Sequence, residues 1–97
     1  MIVRFSPRTT KDLTEIADYI RSYNPAAAQR VRRAILDSIE ILARFPDAGR
    51  RQKFENVRKL VVRRYPYLVY YTVNTTADEL IVVAVQHAAR EREHSDL

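Results

Sequence analysis

Residues 57–87 read VRKLVVRRYPYLVYYTVNTTADELIVVAVQH, and this stretch decides the fold class. It contains three apolar runs rich in β-branched and aromatic residues, a composition typical of strands. The runs are residues 57–64, 67–73 and 80–87. Only Tyr65-Pro66 and residues 74–78 stand between them, and joins as short as these connect neighbouring antiparallel strands. The stretch therefore predicts a three-stranded antiparallel meander.

The alternation of side chains along the meander predicts which of its two faces is covered. Pairing Arg64 with Tyr67 across the first hairpin fixes the parity of the strands. The face that other elements would cover then carries Leu60, Val62, Val69, Tyr71, Ile81, Val83 and Val85. The opposite face mixes apolar and polar side chains and can stay partly open to solvent: Lys59, Val61, Arg63, Leu68, Tyr70, Thr72, Val82 and Gln86.

Two amphipathic helices are predicted upstream of the meander. Each begins where a capping side chain is followed by proline, first at Ser6-Pro7 and again at Asn24-Pro25. The first helix spans residues 8–22, and the second ends at the stop signals Pro46 and Gly49. Their apolar stripes carry Leu13, Ile16, Ala17, Ile20 and Tyr23, then Ala28, Val31, Ile35, Ser38, Ile39 and Leu42. Because so little chain separates the helices, they are expected to pack as an antiparallel hairpin.

The rest of the chain completes the predicted architecture. A short strand at residues 2–6 precedes the helices, and a polar connection at residues 47–56 follows them. The order β-α-α-β-β-β predicts an α+β fold, with the helix hairpin packed on one face of a small antiparallel sheet. Residues 1–97 are expected to form a single domain, and residues 88–97 a helical turn or a loose tail.

The charge of the chain favours an acidic or polyanionic partner. There are 17 Lys and Arg against 12 Asp and Glu, and 14 of the cations are arginine, whose donor fork matches phosphate and carboxylate. With no cysteine and two histidines, no metal site and no cofactor is predicted. No run approaches the roughly 18 apolar residues that a membrane span needs, so the sequence predicts a soluble, cytoplasmic protein.

Four segments, in this order and at these separations, resemble the consecutive motifs of the RelE/ParE toxin superfamily. They are DLTEIADYIRSYNPAAAQRV at 12–31, LARFPDAGR at 42–50, VRKLVVRRYPYLVYYTV at 57–73 and IVVAVQHAAR at 81–90. The resemblance leans toward the ParE-like, or plasmid stabilisation, branch. Members of that branch share a Leu-x-x-x-Pro-x-x-Gly-Arg link, an Arg-x-Leu and a final His-x-x-Arg, found here at Leu42 to Arg50, Arg58 to Leu60 and His87 to Arg90.

This resemblance implies the toxin of a type II toxin-antitoxin system. ParE-like members inhibit growth by binding DNA gyrase and stabilising a cleaved DNA complex, which needs a recognition surface and no catalytic residues. The resemblance also implies a cognate antitoxin, expected to be of the ribbon-helix-helix type, whose acidic or amphipathic C-terminal segment wraps the toxin.

Two alternatives to gyrase inhibition stay open. A RelE-like member would cleave mRNA on the ribosome without a metal, by attack of a ribose 2′-OH on the adjacent phosphate, which needs an acid, a base and cations. The catalytic residues would then be His87, Arg90, Arg64 and Arg63. Tyr67 stands where such nucleases carry an arginine, and no tyrosine follows Tyr71, which disfavours this reading. The third possibility is a non-toxic nucleic-acid-binding or structural protein.

Two contact surfaces are predicted. Target binding is assigned to Arg58, Arg63, Arg64, Tyr67, His87, Arg90 and Arg92. Antitoxin binding is assigned to whatever part of the helix hairpin is left uncovered, together with one arginine: Leu13, Ile16, Ile20, Val31, Ile35 and Arg58. Each assignment competes with a structural role, since the apolar residues can be core and His87 can be a capping residue.

Overall fold

The computed structural model describes residues 1–54 and 56–90. They form an α+β domain in which a helix pair lies on one face of a five-stranded sheet, as the sequence predicts. In chain order the elements are β1 (Ile2–Phe5), α1 (Pro7–Arg21), α2 (Pro25–Arg44), β2 (Arg50–Arg51), β3 (Arg58–Val61), β4 (Tyr67–Asn74) and β5 (Glu79–His87). The strand order is β1-β5-β4-β3-β2, and the meander of β3, β4 and β5 is antiparallel as predicted.

The sheet departs from the predicted antiparallel arrangement at both edges. β1 lies beside β5 and runs parallel to it, with Val3 opposite Leu80, so the sheet is mixed. β2 lies inside the predicted connection 47–56 and pairs antiparallel with Arg58 and Lys59. Side-chain alternation does not reveal either feature, because β1 is too short to specify its neighbour and β2 is two exposed arginines that pair through their backbone.

Both helices begin at the predicted caps. Ser6 Oγ accepts a hydrogen bond from the N–H of Thr9 at 3.0 Å, and Asn24 Oδ1 accepts one from the N–H of Ala27 at 3.1 Å. A proline occupies the first turn of each helix, where its missing N–H has no intrahelical partner to lose. Residues 22–24 alone join the helices, which therefore pack as the predicted antiparallel hairpin.

The core lies between α2 and the sheet. It contains Val31, Ile35, Ile39 and Leu42 of α2 with Val62, Val69, Tyr71, Leu80, Val82 and Val85 of the meander. The apolar residues of α1 are half-buried and pack against the rim of this core, while its buried residue is Thr9. Tyr23 was expected on the apolar stripe of α1, but it is 76% exposed because the helix ends at Arg21.

A β-bulge changes the predicted faces of β5. Tyr70 lies opposite Ala84, whereas Tyr71 lies opposite Val82, so β5 carries Val83 as an extra residue. Upstream of the bulge, Leu80 and Val82 turn to the covered face and become fully buried. The placement of Ile81 and Val83 on the covered face, and of Val82 on the open face, is therefore wrong. A strict period of two cannot be extended through an inserted residue.

Side chains from the beginning of α1 satisfy the backbone of this bulge. The hydrogen bonds are Ser6 Oγ to the carbonyl of Val83 (3.0 Å), Thr9 Oγ1 to the carbonyl of Val82 (2.8 Å), and the N–H of Val85 to Asp12 Oδ2 (3.0 Å). β1 stops opposite Val82, so these side chains take the place of further strand partners along β5. Buried backbone groups without such partners would be costly.

Thr9→Val is expected to lower the free energy of unfolding by about 1–2 kcal/mol. Valine keeps the volume of this fully buried side chain but cannot donate to the carbonyl of Val82, which keeps its bond from the N–H of Ser6. Urea unfolding followed by circular dichroism measures the change. Thr10→Val, at the exposed neighbouring position, is the control and should stay within about 0.5 kcal/mol of the wild type. Equal losses in both variants would contradict the role of the hydroxyl.

Candidate recognition site

Several predicted target-binding residues meet at one end of the sheet. The β3-β4 hairpin turns there, and β5 ends beside it, because the N–H of Ala88 donates to the carbonyl of Pro66 at 2.7 Å. This contact brings the hairpin arginines Arg63 and Arg64 to the same end as Tyr67 and His87. Residues 88–90 then form a short helical turn.

Tyr67 and His87 form a cross-strand pair at this end. They lie opposite each other in β4 and β5, and their rings meet edge to face with centroids 5.3 Å apart. Tyr67 is buried, and this burial raises its pKa, with a smaller contribution from nearby Tyr19. His87 is exposed, and its Nδ1 accepts a hydrogen bond from the N–H of Ala89 at 3.0 Å. The imidazole therefore caps the turn that follows β5.

Arg63 and Arg64 line one side of a groove of about 620 Å³ between the hairpin and α2. The opposite side is α2, which contributes Arg30 and Arg33 one turn apart. We call this feature, defined by these four residues and the α2 surface between them, the arginine groove. Sequence reasoning placed Arg63 and Arg64 in the site but missed the two helix arginines, because their tertiary neighbour is far away in the chain.

Arg58 is engaged within the protein, although it was assigned to both contact surfaces. Its Nη1 donates to the carbonyl of Gly49 at 2.8 Å and to that of Asp47 at 3.3 Å, and its Nη2 lies 3.4 Å from Asp47 Oδ1. The Arg58 side chain is 21% exposed. Arg58 also lies at the far end of β3 from Arg63, roughly 16 Å along extended chain. In the structure Arg58 holds the link between α2 and β2, and its assignment to either contact surface stays a prediction.

The same link explains the glycine of the Leu-x-x-x-Pro-x-x-Gly-Arg motif. The hydroxyl of fully buried Tyr71 accepts a hydrogen bond from the N–H of Gly49 at 2.8 Å and donates to the carbonyl of Pro46 at 2.7 Å. Burial raises the pKa of Tyr71, although the bond from Gly49 and the charge of Arg58 oppose the increase. The hydroxyl thus stays protonated at neutral pH and can make both bonds.

The predicted apolar antitoxin surface is largely internal. Val31 and Ile35 are 4% and 1% exposed because α2 packs directly on the sheet, so in this fold they are not available to a partner. Leu13, Ile16 and Ile20 are half-buried at the interface between α1 and the core. The assignment of Val31 and Ile35 is therefore corrected to core.

An exposed tyrosine pair at the end of α1 was not expected as a surface feature. Tyr19 and Tyr23 are 66% and 76% exposed, and their rings meet edge to face at 5.3 Å. A side-chain hydrogen bond with Tyr23 raises the pKa of Tyr19. The spacing of four residues is the sequence signal for their contact, but the apolar stripe predicted for α1 includes Tyr23 and not Tyr19. Of the remaining predicted residues, Arg90 is exposed and Arg92 lies outside the described residues.

The described residues show neither a cluster of metal ligands nor a membrane-crossing helix. Within residues 1–54 and 56–90, no three His, Asp or Glu side chains converge as metal ligands would. Neither described helix has the long, weakly charged stretch that crossing a lipid bilayer requires.

Sequence comparisons place the chain beside bacterial toxins. The family model described as ParE toxin of type II toxin-antitoxin system, parDE, matches residues 3–92. A curated relative, Toxin RelE2 of Caulobacter vibrioides, is 40% identical over 84 residues, which cover 86% of this chain and 90% of the relative. Toxin RelE3 of the same organism is 33% identical over 92 residues, covering 93% and 97%.

Solved structures share the fold. The chromosomal ParDE toxin-antitoxin system of P. aeruginosa matches with a TM-score of 0.80 and 21% identity, covering 90% of this chain and 95% of that chain. The isolated E. coli RelE toxin matches with a TM-score of 0.58 and 16% identity, covering 99% and 98%.

Proposed function

Since this chain belongs to the ParE toxin family of type II toxin-antitoxin systems, we propose that it inhibits DNA gyrase and is neutralised by a cognate antitoxin. The toxin would act by binding, through a surface at the end of the sheet that carries Arg63, Arg64 and His87. Its strongly cationic character suits a partner with carboxylates or phosphates.

The observation that carries this proposal is the Tyr67 and His87 pair. Tyr67 occupies the strand position where RelE-like nucleases carry an arginine, and it is buried under the imidazole with no positive charge to offer a phosphate. Stabilising the charge that develops on a scissile phosphate requires donors or cations aimed at it. The match of the ParE family model to residues 3–92 supports the same choice.

A ribosome-dependent mRNA endonuclease is the second candidate, because two relatives carry the name RelE. His87 is exposed at the end of the sheet and would be the acid or base of such a reaction. Arg90, Arg63 and Arg64 would then supply the cations.

Parallel assays of the purified, antitoxin-free protein separate the two candidates. We expect it to inhibit supercoiling by gyrase with ATP and to trap cleaved DNA, and to leave mRNA on translating ribosomes intact. The toxin-antitoxin complex should be inactive in the gyrase assay, and Lys11→Gln, an exposed change on α1, should be fully active. Ribosome-dependent cuts that His87→Ala abolishes, with unaffected gyrase, would overturn the proposal.

A further inference from the structure

Positive charge is concentrated in two segments of the chain. Residues 22–36 contain three arginines, residues 56–77 contain three arginines and one lysine, and neither segment contains Asp or Glu. Together the two segments carry +7 in a chain whose net charge is +5. The fold brings them together, because α2 and the β3-β4 hairpin line the two sides of the arginine groove. A positive electrostatic field is therefore expected on this side of the molecule.

Arg32 extends this cationic surface across α2. A second groove, of about 360 Å³, lies between α1 and α2, and its lining includes Gln29, Arg32 and Arg33. Gln29 and Arg33 also line the arginine groove, so the two grooves adjoin along α2. We call Arg32 and the four arginines of the arginine groove the arginine band.

The arginines of the band have no partners within the described part of the chain. None of the five makes an ion pair or a side-chain hydrogen bond with another described residue. By contrast, Arg4, Arg21 and Arg58 each have a nitrogen within 3.4 Å of a carboxylate oxygen. Neighbouring like charges repel one another, and a bound polyanion removes that repulsion. The band is therefore suited to a ligand that brings several negative charges at once.

Arg64 occupies its position in the band at a conformational cost. Its φ is 75°, in the left-handed region, where residues other than glycine, Asn and Asp are uncommon. The other described non-glycine residues with positive φ are Asn56 and Asp78, which tolerate this conformation well. An arginine held here without a local hydrogen bond indicates that its side chain has a use outside the hairpin.

The surroundings of the band favour a nucleic-acid duplex over a single strand. Proteins that bind single strands place exposed aromatic rings among their cations, and unstacked bases stack on those rings. Among the described residues that line the two grooves, the one aromatic side chain is that of Tyr65, which is half-buried. A DNA duplex keeps its bases stacked inside and presents about one phosphate charge per 1.7 Å of its axis. Arginine binds such phosphates in a bidentate way.

Carboxylates mark the end of the band on α2. Asp37 lines the arginine groove about one turn beyond Arg33, and exposed Glu40 follows it. Both carboxylates would repel a phosphate backbone. The contact with a duplex is therefore confined to the first half of α2 and to the hairpin.

We propose that the toxin itself binds duplex DNA, through contacts of the arginine band with the phosphate backbone. Arginines of α2 and of the hairpin bind phosphates from the two sides of the arginine groove, and Arg32 adds a contact across the helix. Binding is independent of base sequence, because phosphate contacts carry no sequence information. The inference goes beyond the proposed function and does not depend on it, since the ligand is DNA alone and no gyrase is needed.

Fluorescence anisotropy with the purified, antitoxin-free toxin tests the proposal. The probe is a fluorescein-labelled DNA duplex of about 20 base pairs, and we expect its affinity to fall about 500-fold between 50 and 200 mM KCl, the loss for five phosphate contacts. A duplex of unrelated sequence should bind within about twofold of the first. An affinity that falls less than about tenfold over this range, or that differs about tenfold between the two sequences, would overturn the proposal.

Charge-matched variants locate the contact. Arg33→Gln should weaken duplex binding about fivefold at 100 mM salt and reduce the slope of the salt dependence by about 1, as expected when one phosphate contact is lost. Lys11→Gln removes the same charge from α1, where Lys11 pairs with Glu15, and should leave the affinity within about twofold of the wild type. Equal losses in the two variants would mean that binding follows net charge alone, and would overturn the assignment to the band.

Arg64→Gly distinguishes a contact with DNA from a structural role. Glycine adopts a positive φ without strain, so this variant should melt at the same temperature as the wild type or a few degrees higher. Its affinity for the duplex should nevertheless fall about fivefold. A melting temperature that falls together with the affinity would mean that the arginine supports the fold, and would remove Arg64 from the proposed contact.

Two further probes of the same length identify the nucleic acid. Single-stranded DNA should bind more weakly than the DNA duplex, because its charge density is lower and the band offers no exposed ring for its bases. Duplex RNA should also bind more weakly, because its A-form major groove is deep and narrow and proteins recognise it largely through 2′-hydroxyls. Tighter binding by either probe, with the same dependence on Arg33, would overturn the choice of duplex DNA.

Discussion

Gly49→Ala is expected to lower the free energy of unfolding by about 3 kcal/mol or more. A Cβ at this position would collide with the Tyr71 hydroxyl and would lie 2.6 Å from Cε1 of the same ring. The ring is fully buried, and its hydroxyl is held by the backbone of Gly49 and Pro46, so it cannot swing away. Either the Tyr71 ring or the segment that joins α2 to β2 must move. The movement breaks the hydrogen bonds of the hydroxyl with Gly49 and Pro46 and disturbs the packing around the ring. Gly49 lacks a positive φ, so close approach alone explains the glycine.

A double-mutant cycle tests this explanation. Tyr71→Phe removes the closest obstacle but leaves the N–H of Gly49 and the carbonyl of Pro46 without their partner, at a cost of about 1–3 kcal/mol. In that background Gly49→Ala should cost at least about 1 kcal/mol less than in the wild type. The chain has no tryptophan, so urea unfolding is followed by far-ultraviolet circular dichroism. Additive losses, or a wild-type midpoint for Gly49→Ala alone, would refute the steric account.

The Leu-x-x-x-Pro-x-x-Gly-Arg motif, one of those that carry the family resemblance, therefore has a structural role. Leu42 is fully buried in the core, Pro46 accepts from Tyr71, and Gly49 makes room for the ring. Arg58 of β3 donates a hydrogen bond to the carbonyl of Gly49 and so holds the same segment from the sheet. Residues with these internal roles specify the fold and not a target. The chain matches both a ParE family model and relatives named RelE. We therefore expect the residues that select a target to be exposed ones outside this motif.

Local signals were sufficient for most of the fold. The Ser6-Pro7 and Asn24-Pro25 caps located both helix starts, and the short joins of the meander determined its antiparallel order. What failed were the features that depend on tertiary neighbours. The parallel pairing of β1 with β5 brings together residues more than 70 positions apart, and the bulge at Val83 is supported by side chains of α1. Neither the parallel pairing nor the bulge produces a periodic pattern of apolar residues in the sequence.

The candidate site was harder to predict from the sequence than the fold was, for a physical reason. An arginine is equally compatible with a partner surface and with an internal clamp, and only geometry separates Arg58 from Arg63. Apolar helix residues present the same ambiguity, since Ile35 is core while Ile41 on the same helix is exposed. Arg30 and Arg33 became candidates only when the fold placed α2 across from the hairpin.

Leu42→Ala is expected to lower the free energy of unfolding by about 3–5 kcal/mol. Leu42 is 0% exposed and lies in the last turn of α2, in the core cluster that joins the helix to the sheet. Its truncation removes apolar contacts and leaves a cavity that the rigid sheet beneath cannot fill. Domains of this size have total stabilities of about 5–15 kcal/mol, so the melting temperature should fall by about 15 °C or more.

Ile41→Ala is the matched control, because Ile41 precedes Leu42 on the same helix but is 46% exposed. We expect it to cost less than about 1 kcal/mol, since little buried surface is lost. Calorimetric scans of both variants measure the difference, and similar melting temperatures would contradict the assignment of Leu42 to the core.

Antitoxin binds the folded toxin, so at a free concentration 100 times its Kd it should restore about 2.7 kcal/mol to Leu42→Ala by mass action. A melting temperature that antitoxin leaves unchanged would mean that partner binding is not coupled to this core.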